Sequence, residues 1–278
     1  MHPYIELAVF NNLSIGISAY KLFFILACLA VLIISYIGIK NRGLDLKKSA
    51  LILLMMTLAV PIGARVLHFI TNPVIYQLNP EKLWALNLTG FALMGGLILA
   101  ALLGVFLSRL LKYNLWPLAD SVASGLGIGI AIMRVGCYLN GCCFGKTANL
   151  PWAVEFPMGS IPYNYYLADM AERKSFSLFT LINSPPIHPT QLYELLAALL
   201  ITLIVLYLIK KNSPAGVPFL AFSLLFSLFR WFNSSLRVPA PTLKLSPCFY
   251  PLLYALIALL SIFLIIYRCK RGNCLKNL

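Results

Sequence analysis

Hydrophobic residues dominate seven long segments of the chain, and polar residues are gathered between these segments. The segments cover roughly residues 19–39, 49–70, 89–108, 115–136, 191–209, 215–236 and 249–267. A helix of about 20 apolar residues crosses the hydrocarbon layer of a membrane. The apolar residues run on without alternation, whereas the strands of a membrane β-barrel alternate apolar and polar positions. The pattern therefore predicts an all-α polytopic membrane protein with about seven transmembrane helices.

The longest polar interval, residues 138–190, separates the fourth and fifth apolar segments. It contains turn-forming and aromatic residues, as in the stretch NLPWAVEFPMGSIPYNYY. Disordered segments are poor in aromatic residues, so this interval is expected to fold. We predict one membrane-embedded domain, residues 1–278, with a small cap inserted at 138–190.

The charge balance changes the interpretation of the polar intervals. Only 11% of residues are charged, yet 22 Lys and Arg against 8 Asp and Glu give a net charge of +14. The basic residues concentrate in alternate intervals: Lys40, Arg42, Lys47, Lys48, Arg109, Lys112, Lys210, Lys211, Arg268, Lys270, Arg271 and Lys276. This positive-inside pattern places the C-terminus in the cytoplasm, and the N-terminus and the cap outside. It reflects topology and attraction to membrane lipids, so we expect no nucleic-acid partner.

Besides Arg65 in the second segment, three arginines lie at the outer ends of apolar segments. They are Arg134, near the end of the fourth segment, and Arg230 and Arg237, at the outer end of the sixth. An arginine at membrane depth costs about 2.5–3.5 kcal/mol on insertion scales, so such residues generally have a function. A guanidinium donates to two phosphate oxygens and stays charged when desolvated. The three arginines predict a site for the phosphate of a lipid headgroup.

Buried charges also join helices without any further function. Arg65 in the second segment would have such a structural role if it paired with Asp120 or Glu194. We therefore keep helix-joining ion pairs as an alternative interpretation for each buried charge.

Several motifs resemble those of the bacterial prolipoprotein diacylglyceryl transferase family. The stretch MRVGCYLNGCCFGKTANLPWAVEFP resembles the family signature R-x-G-N-F-x-N-G-E-x-x-G with its following P-W-A and F-P. IHPTQLYELL resembles R-H-P-S-Q-L-Y-E, GFALMGGLILA resembles the H-G-G-L element, and FRWFNSSLR resembles R-F-x-x-E-F-x-R. The motifs occur in the family's order over nearly the whole chain.

The resemblance implies transfer of the diacylglyceryl group of phosphatidylglycerol to the lipobox cysteine of a prolipoprotein, in the bacterial inner membrane. It implies that Arg134 and Arg230 are catalytic and hold the lipid phosphate, with Arg237 beside them. It implies that Asn140, Gly141 and Gly145 also bind phosphatidylglycerol. Further family positions are Tyr20, His188, Gln191, Tyr193 and Glu194. The resemblance implies no cofactor. The three cysteines of CYLNGCC have no histidine cluster nearby, so we expect no metal.

The chain departs from the family at polar positions. Met94, Cys137, Cys142, Ser234 and Ile187 replace a histidine, an asparagine, two acids and an arginine. Methionine cannot accept a proton, so another base would be needed.

Three residues are candidates for that base: His188, Tyr20 and Glu155, whose apolar sequence neighbours would raise its pKa if they buried it. Cys137, Cys142 and Cys143 are either reactive thiols or small packing residues. Two alternatives remain for the function: a paralogue with a different acceptor, and a non-catalytic protein that binds or transports anionic phospholipid.

Overall fold

Two antiparallel strands and nine helices make up the described part of the chain. This computed structural model describes residues 4–10, 13–78, 80, 93–172, 182–238 and 248–271. The strands are β1 (Tyr4–Phe10) and β2 (Leu13–Ser18). The helices are α1 (Ala19–Asn41), α2 (Leu46–Thr71), α3 (Pro73–Leu78), α4 (Leu93–Leu110), α5 (Leu115–Asn140), α6 (Ile161–Glu172), α7 (Thr190–Lys210), α8 (Val217–Leu236) and α9 (Phe249–Arg271).

The long helices confirm the all-α polytopic prediction. Six of the described helices, namely α1, α2, α5, α7, α8 and α9, are long and apolar enough to cross a membrane. The apolar part of α4, Gly95–Leu110, is shorter. The first residues of the predicted third segment, 89–92, lie outside the described residues. The apolar pattern does not predict the β1–β2 hairpin, which lies before the first segment.

Helix α5 occupies the centre of the main helix group. It packs against α1 and α7 and also touches α8, while α8 packs against both α7 and α9. Helices α2 and α4 form a pair in which backbone meets backbone. A Cβ added to Gly63 would lie 2.4 Å from the Gly95 carbonyl oxygen, so the pair depends on glycine at this contact. Large apolar side chains such as Leu102, Leu203 and Leu259 remain exposed, as lipid-facing residues do.

Asp120, at one end of α5, joins this helix to the start of α8. Its side chain is fully buried and accepts hydrogen bonds from the backbone N–H groups of Gly216 at 2.8 Å and Phe219 at 3.0 Å. Arg42 Nη1 lies 3.8 Å from its carboxylate. The suggested pairing of Arg65 with Asp120 is wrong, because this carboxylate accepts hydrogen bonds from backbone N–H groups at the start of α8 and faces Arg42 instead.

We expect Asp120→Ala to lower the free energy of unfolding in detergent by about 1–3 kcal/mol. The substitution leaves the buried N–H groups of Gly216 and Phe219 without an acceptor. The midpoint of thermal unfolding measures the loss. Ser223→Ala is the control, since among the described residues Ser223 Oγ donates only to Phe219 O, within the same helix. Equal midpoints for the two variants would contradict the assigned role of Asp120.

The interval between α5 and α7 has a small core of its own. Backbone pairs Thr147–Ile187, Val154–Ile187 and Pro157–Asn183 connect its two described parts. Their buried side chains include Phe144, Phe156, Tyr166 and Ile187. Helix α6 contributes Tyr166, whose hydroxyl donates to Gly145 O at 2.9 Å. These contacts hold the chain that follows α5 close to the start of α7.

Candidate functional site

Arg134 and Arg230 meet at one buried carboxylate. Arg134 Nη2 donates to Glu194 Oε1 and Arg230 Nη1 donates to Glu194 Oε2, each at 2.7 Å. The Glu194 side chain is 3% exposed, while those of Arg134 and Arg230 are 13% and 18% exposed. Arg134 belongs to α5, Arg230 to α8 and Glu194 to α7. Two guanidinium groups share one carboxylate, so this cluster keeps one excess positive charge.

Both guanidinium groups have donors that Glu194 does not use. Arg230 Nε and Nη2 donate to Tyr254 Oη at 3.3 and 3.1 Å, and the guanidinium lies 5.7 Å from the centre of the Tyr254 ring. Arg134 Nη1 lies 3.6 Å from Cys137 Sγ. Arg134 Nε is buried and has no hydrogen-bond partner among the described residues. An unpaired N–H donor beside an excess positive charge favours an anionic ligand.

Arg237 follows α8 and lies beside the loop after α5. Its backbone pairs with Gly145 in an antiparallel bridge, and Val238 N donates to Phe144 O at 3.2 Å. The structure therefore brings Arg237 to the same loop as the signature glycine. It does not give Arg237 a contact with Glu194 in the described residues.

A tight turn ends α5 and returns the chain toward the arginines. Gly141 has φ +72°, Gly141 N donates to Tyr138 O at 3.1 Å, and Cys142 N donates to Cys137 O at 3.1 Å. This pair of bonds is the Schellman motif, which glycine permits because it adopts positive φ without strain. The signature position Gly141 thus has a structural role at the end of the helix.

The start of α7 holds the same turn from the opposite side. Thr190 Oγ1 donates to Cys143 O at 2.7 Å, and Gln191 Nε2 donates to Cys142 O at 2.8 Å. Asn233 Nδ2 of α8 donates to Thr190 O at 3.3 Å. A Cβ added to Gly145 would lie 2.5 Å from His188 O, so the two motifs touch through their backbones. The HPTQ motif therefore fixes the loop that carries the cysteines.

The loop after α5, residues 141–145, carries Cys143, a thiol whose surroundings favour its ionised form. Hydrogen bonds from the thiols of Cys137 and Cys142, and the positive charges of Arg237 and Arg134, lower the pKa of the Cys143 thiol despite its burial.

The candidate bases lie in different environments. His188 Nδ1 is 3.3 Å from Tyr193 Oη, which also accepts from Trp152 Nε1 at 2.8 Å. Tyr20 is near the start of α1, where the helix passes α5; a Cβ added to Gly136 would be 3.5 Å from Tyr20 Cα. The third candidate does not have the burial that motivated it.

Glu155 is exposed and accepts from Asn183 Nδ2 at 3.2 Å. Its apolar sequence neighbours do not enclose it, because the inward position is taken by the next residue, Phe156, which is fully buried. The expected burial of Glu155 is therefore wrong. Asn140 lines a cavity of about 290 Å³ beside residues 156–161.

The structure accounts for two of the departures from the family pattern and adds one residue to the site. Ile187 is fully buried in the interval between α5 and α7, while Ser234 is bonded within α8 to Trp231 O at 2.7 Å. The side chain of Met94 lies outside the described residues. Tyr254, which contacts Arg230, had no sequence signal beyond being a tyrosine in an apolar helix. The sequence identifies Glu194 as a motif position or a partner of Arg65, but not as the carboxylate that Arg134 and Arg230 share.

The fold and this site define a class: multi-pass membrane proteins in which arginines from two different helices share one buried carboxylate. The family model described as prolipoprotein diacylglyceryl transferase matches residues 8–269. The chain therefore belongs to the prolipoprotein diacylglyceryl transferase family of membrane transferases.

Curated relatives with the same name support this membership. The phosphatidylglycerol–prolipoprotein diacylglyceryl transferase of Geobacter sulfurreducens is 28% identical over 247 residues, covering 87% of this chain and 86% of that protein. The protein of that name from Dehalococcoides mccartyi strain BAV1 is 31% identical over 225 residues, covering 78% and 77%. A third, from Trichormus variabilis, is 33% identical over 185 residues, covering 64% and 60%.

Proposed function

We propose that this protein transfers the diacylglyceryl group of phosphatidylglycerol to the lipobox cysteine of prolipoproteins. The observation that carries the proposal is the convergence of Arg134 and Arg230 on Glu194 with one excess positive charge. The names of the curated relatives state the same donor and acceptor. The arginine cluster supplies a physical reason for choosing an anionic lipid.

The phosphate of the donor is the group that the cluster would hold. Transfer breaks the bond between the glycerol carbon and a phosphate oxygen, so negative charge grows on the leaving glycerol phosphate. Guanidinium groups next to that oxygen stabilise the growing charge, and they do so most strongly where water is excluded. Arg134 Nε is a buried donor still available for this purpose among the described contacts.

The acceptor thiol must lose its proton before or during transfer, because a free thiol has a pKa of about 8.5 and is mostly protonated at neutral pH. His188 and Tyr20 remain our candidates for accepting this proton. His188 Nδ1 is within 3.3 Å of Tyr193 Oη, and Tyr20 lies on α1, which passes close to α5 at Gly136. Asn140, Gly141 and Gly145 shape the walls of the site, and Arg237 adds positive charge at the loop.

The proposed location is the bacterial inner membrane, with the N-terminus and the cap outside and the C-terminus in the cytoplasm. Asp120 and Arg134 are 14 residues apart on α5, a separation of about 21 Å along a helix. The arginine site is thus at the opposite end of α5 from Arg42, whose loop is rich in lysine. The positive-inside rule then puts the arginine site toward the outer leaflet, where lipobox cysteines would arrive.

Purified protein in detergent should add the mass of one diacylglyceryl group to a lipobox peptide when phosphatidylglycerol is supplied. Mass spectrometry of the peptide gives the result. Phosphatidylcholine as donor and a peptide with serine for the lipobox cysteine are the controls, and neither should give product. An unmodified cysteine peptide contradicts the proposal.

The fate of the lipid separates the two remaining functions. Consumption of phosphatidylglycerol without peptide modification would indicate another acceptor. Stoichiometric binding of intact lipid would indicate a binding or transport protein.

A further inference from the structure

Three cysteine side chains form a cluster next to the arginine pair. The Sγ atoms of Cys137, Cys142 and Cys143 all lie within 4.8 Å of one another. Cys137 is 1% exposed, and the other two are partly buried. Arg134 Nη1 is 3.6 Å from Cys137 Sγ. The cluster is therefore in direct contact with the proposed phosphate site.

The backbone around the cluster is built to bring these sulfurs together. The Schellman turn at Gly141 folds Cys142 back over Cys137. Cys143 has φ +62°, a strained conformation for a non-glycine residue that persists only where the surroundings impose it. Thr190 and Gln191 impose it here through hydrogen bonds to the carbonyl groups of Cys143 and Cys142.

The sequence alone gives no reason to expect a metal at these cysteines, but the spacing and type of their sulfur atoms in the structure fit a thiophilic metal ion. Zinc binds thiolate sulfur at about 2.3 Å, so tetrahedral ligands are about 3.8 Å apart. Sulfurs that already lie within 4.8 Å of one another need to move by only about 1 Å to reach that spacing. Thiolates select zinc or monovalent copper over magnesium or calcium.

The surrounding charges also suit three thiolates on a divalent ion. Such a centre has a net charge of −1, and a buried negative charge requires a nearby positive one. Arg134 contacts Cys137 Sγ, and Arg237 lies on the strand segment paired with Gly145, two residues after Cys143. The positive charges of Arg134 and Arg237 thus lie beside the proposed centre.

We propose that Cys137, Cys142 and Cys143 bind a Zn²⁺ ion whose fourth coordination position accepts the thiol of the acceptor substrate. Zinc sites that take part in catalysis have three protein ligands and one open position. A thiol that coordinates zinc is deprotonated outright, so the metal replaces the base that Met94 cannot provide. The role of the fourth position rests on the proposed transferase function, whereas binding of the metal does not.

The chemical step balances without another reactant. On binding at the fourth position of the zinc site, the acceptor thiol would release its proton to His188 or Tyr20 or directly to solvent. This sulfur forms a bond to the terminal glycerol carbon, and the bond from that carbon to the phosphate oxygen breaks. Glycerol phosphate leaves with the electron pair and the negative charge, next to Arg134 and Arg230. No oxidation or reduction takes place.

Metal content of the full-length protein tests the site directly. Protein expressed with zinc and purified in detergent without chelators should contain about one zinc per chain by inductively coupled plasma mass spectrometry. Co²⁺ substituted for zinc should show a thiolate-to-cobalt charge-transfer band in the near ultraviolet. Cys142→Ser and Cys143→Ser should lose both signals, while Cys28→Ser, at an exposed position of α1, should retain both.

Two results would overturn the metal site. One is wild-type protein that contains no zinc and gives no charge-transfer band with Co²⁺, a measurement that does not depend on the folding of any variant. The other is thiol titration that finds two of the three cysteines joined as a disulfide in protein purified under reducing conditions.

A second experiment separates failure of this inference from failure of the proposed function. A lipobox peptide, but not its serine counterpart, should shift the visible bands of the Co²⁺ protein by occupying the fourth position. Zinc-loaded protein that shows this shift but transfers nothing leaves the site intact and contradicts the proposed function. Equal transfer by metal-free and zinc-loaded protein contradicts the role of zinc and leaves the proposed function intact.

Discussion

Replacing Arg134 by alanine should lower the rate of diacylglyceryl transfer by about 100- to 1,000-fold, and Arg230→Ala should do the same. Removing one preorganised donor to a developing negative charge costs a factor of this size. Each variant removes one of the two guanidinium groups that meet at Glu194. Initial rates with phosphatidylglycerol and a lipobox peptide, followed by mass spectrometry, give the comparison.

Arg109→Ala is the matched control, because Arg109 is an exposed arginine in the last turn of α4. This helix packs mainly against α2, whereas Glu194 lies on α7. Its transfer rate should remain within a factor of about two of the wild type. Lysine at position 134 retains the charge but loses the fork that donates to two oxygens, so Arg134→Lys should also be impaired. Full activity of Arg134→Ala and Arg230→Ala would remove the phosphate site.

The largest expected effect on stability is that of Glu194→Gln. This change leaves two buried guanidinium groups 2.7 Å from a neutral side chain, with nothing to offset their charges. Breaking a buried ion pair by removing one partner costs about 3–5 kcal/mol. Unfolding of the detergent-solubilised protein should show a destabilisation of this size, and Glu155→Gln, at an exposed acid, should show almost none.

Anionic lipid should partly restore the stability of Glu194→Gln. A phosphate placed between the two arginines replaces the missing carboxylate charge, and a ligand that binds only the folded state stabilises it. Micelles containing phosphatidylglycerol should therefore raise the unfolding midpoint of the variant more than that of the wild type. Micelles containing phosphatidylcholine should not. Equal effects of the two lipids on both proteins would argue against anion binding at this position.

The membrane helices followed directly from the sequence, because burial of apolar residues in lipid produces unbroken apolar runs. The β1–β2 hairpin did not, since strands of six and seven residues leave only a short pattern. The ends of helices were also hard to place. Helix α5 extends to Asn140, past the predicted residue 136, because Gly141 closes it with backbone hydrogen bonds that hydrophobicity does not reveal.

The sequence predicted which arginines belong to the candidate site, but not which carboxylate they bind. An arginine in an apolar run is evident from the sequence, so Arg134 and Arg230 were found. Glu194 lies 60 residues after Arg134 and 36 before Arg230, and only the packing of α5, α7 and α8 shows that all three meet. The sequence left two interpretations of Cys143, a reactive thiol or a packing residue. The local sequence could not decide between them, because the loop conformation at Cys143 depends on hydrogen bonds from Thr190 and Gln191 in α7.

Both ends of α8 are held in place relative to α5, one directly and the other through Glu194 of α7. At one end Asp120 binds Gly216 and Phe219, and at the other Arg230 meets Arg134 through Glu194. Sliding α8 along α5 by one residue, about 1.5 Å, would break both attachments together. The register of α8 against α5 thus sets the separation of the two guanidinium groups before any lipid binds. Binding of a headgroup therefore does not include the entropy cost of bringing the two arginines together.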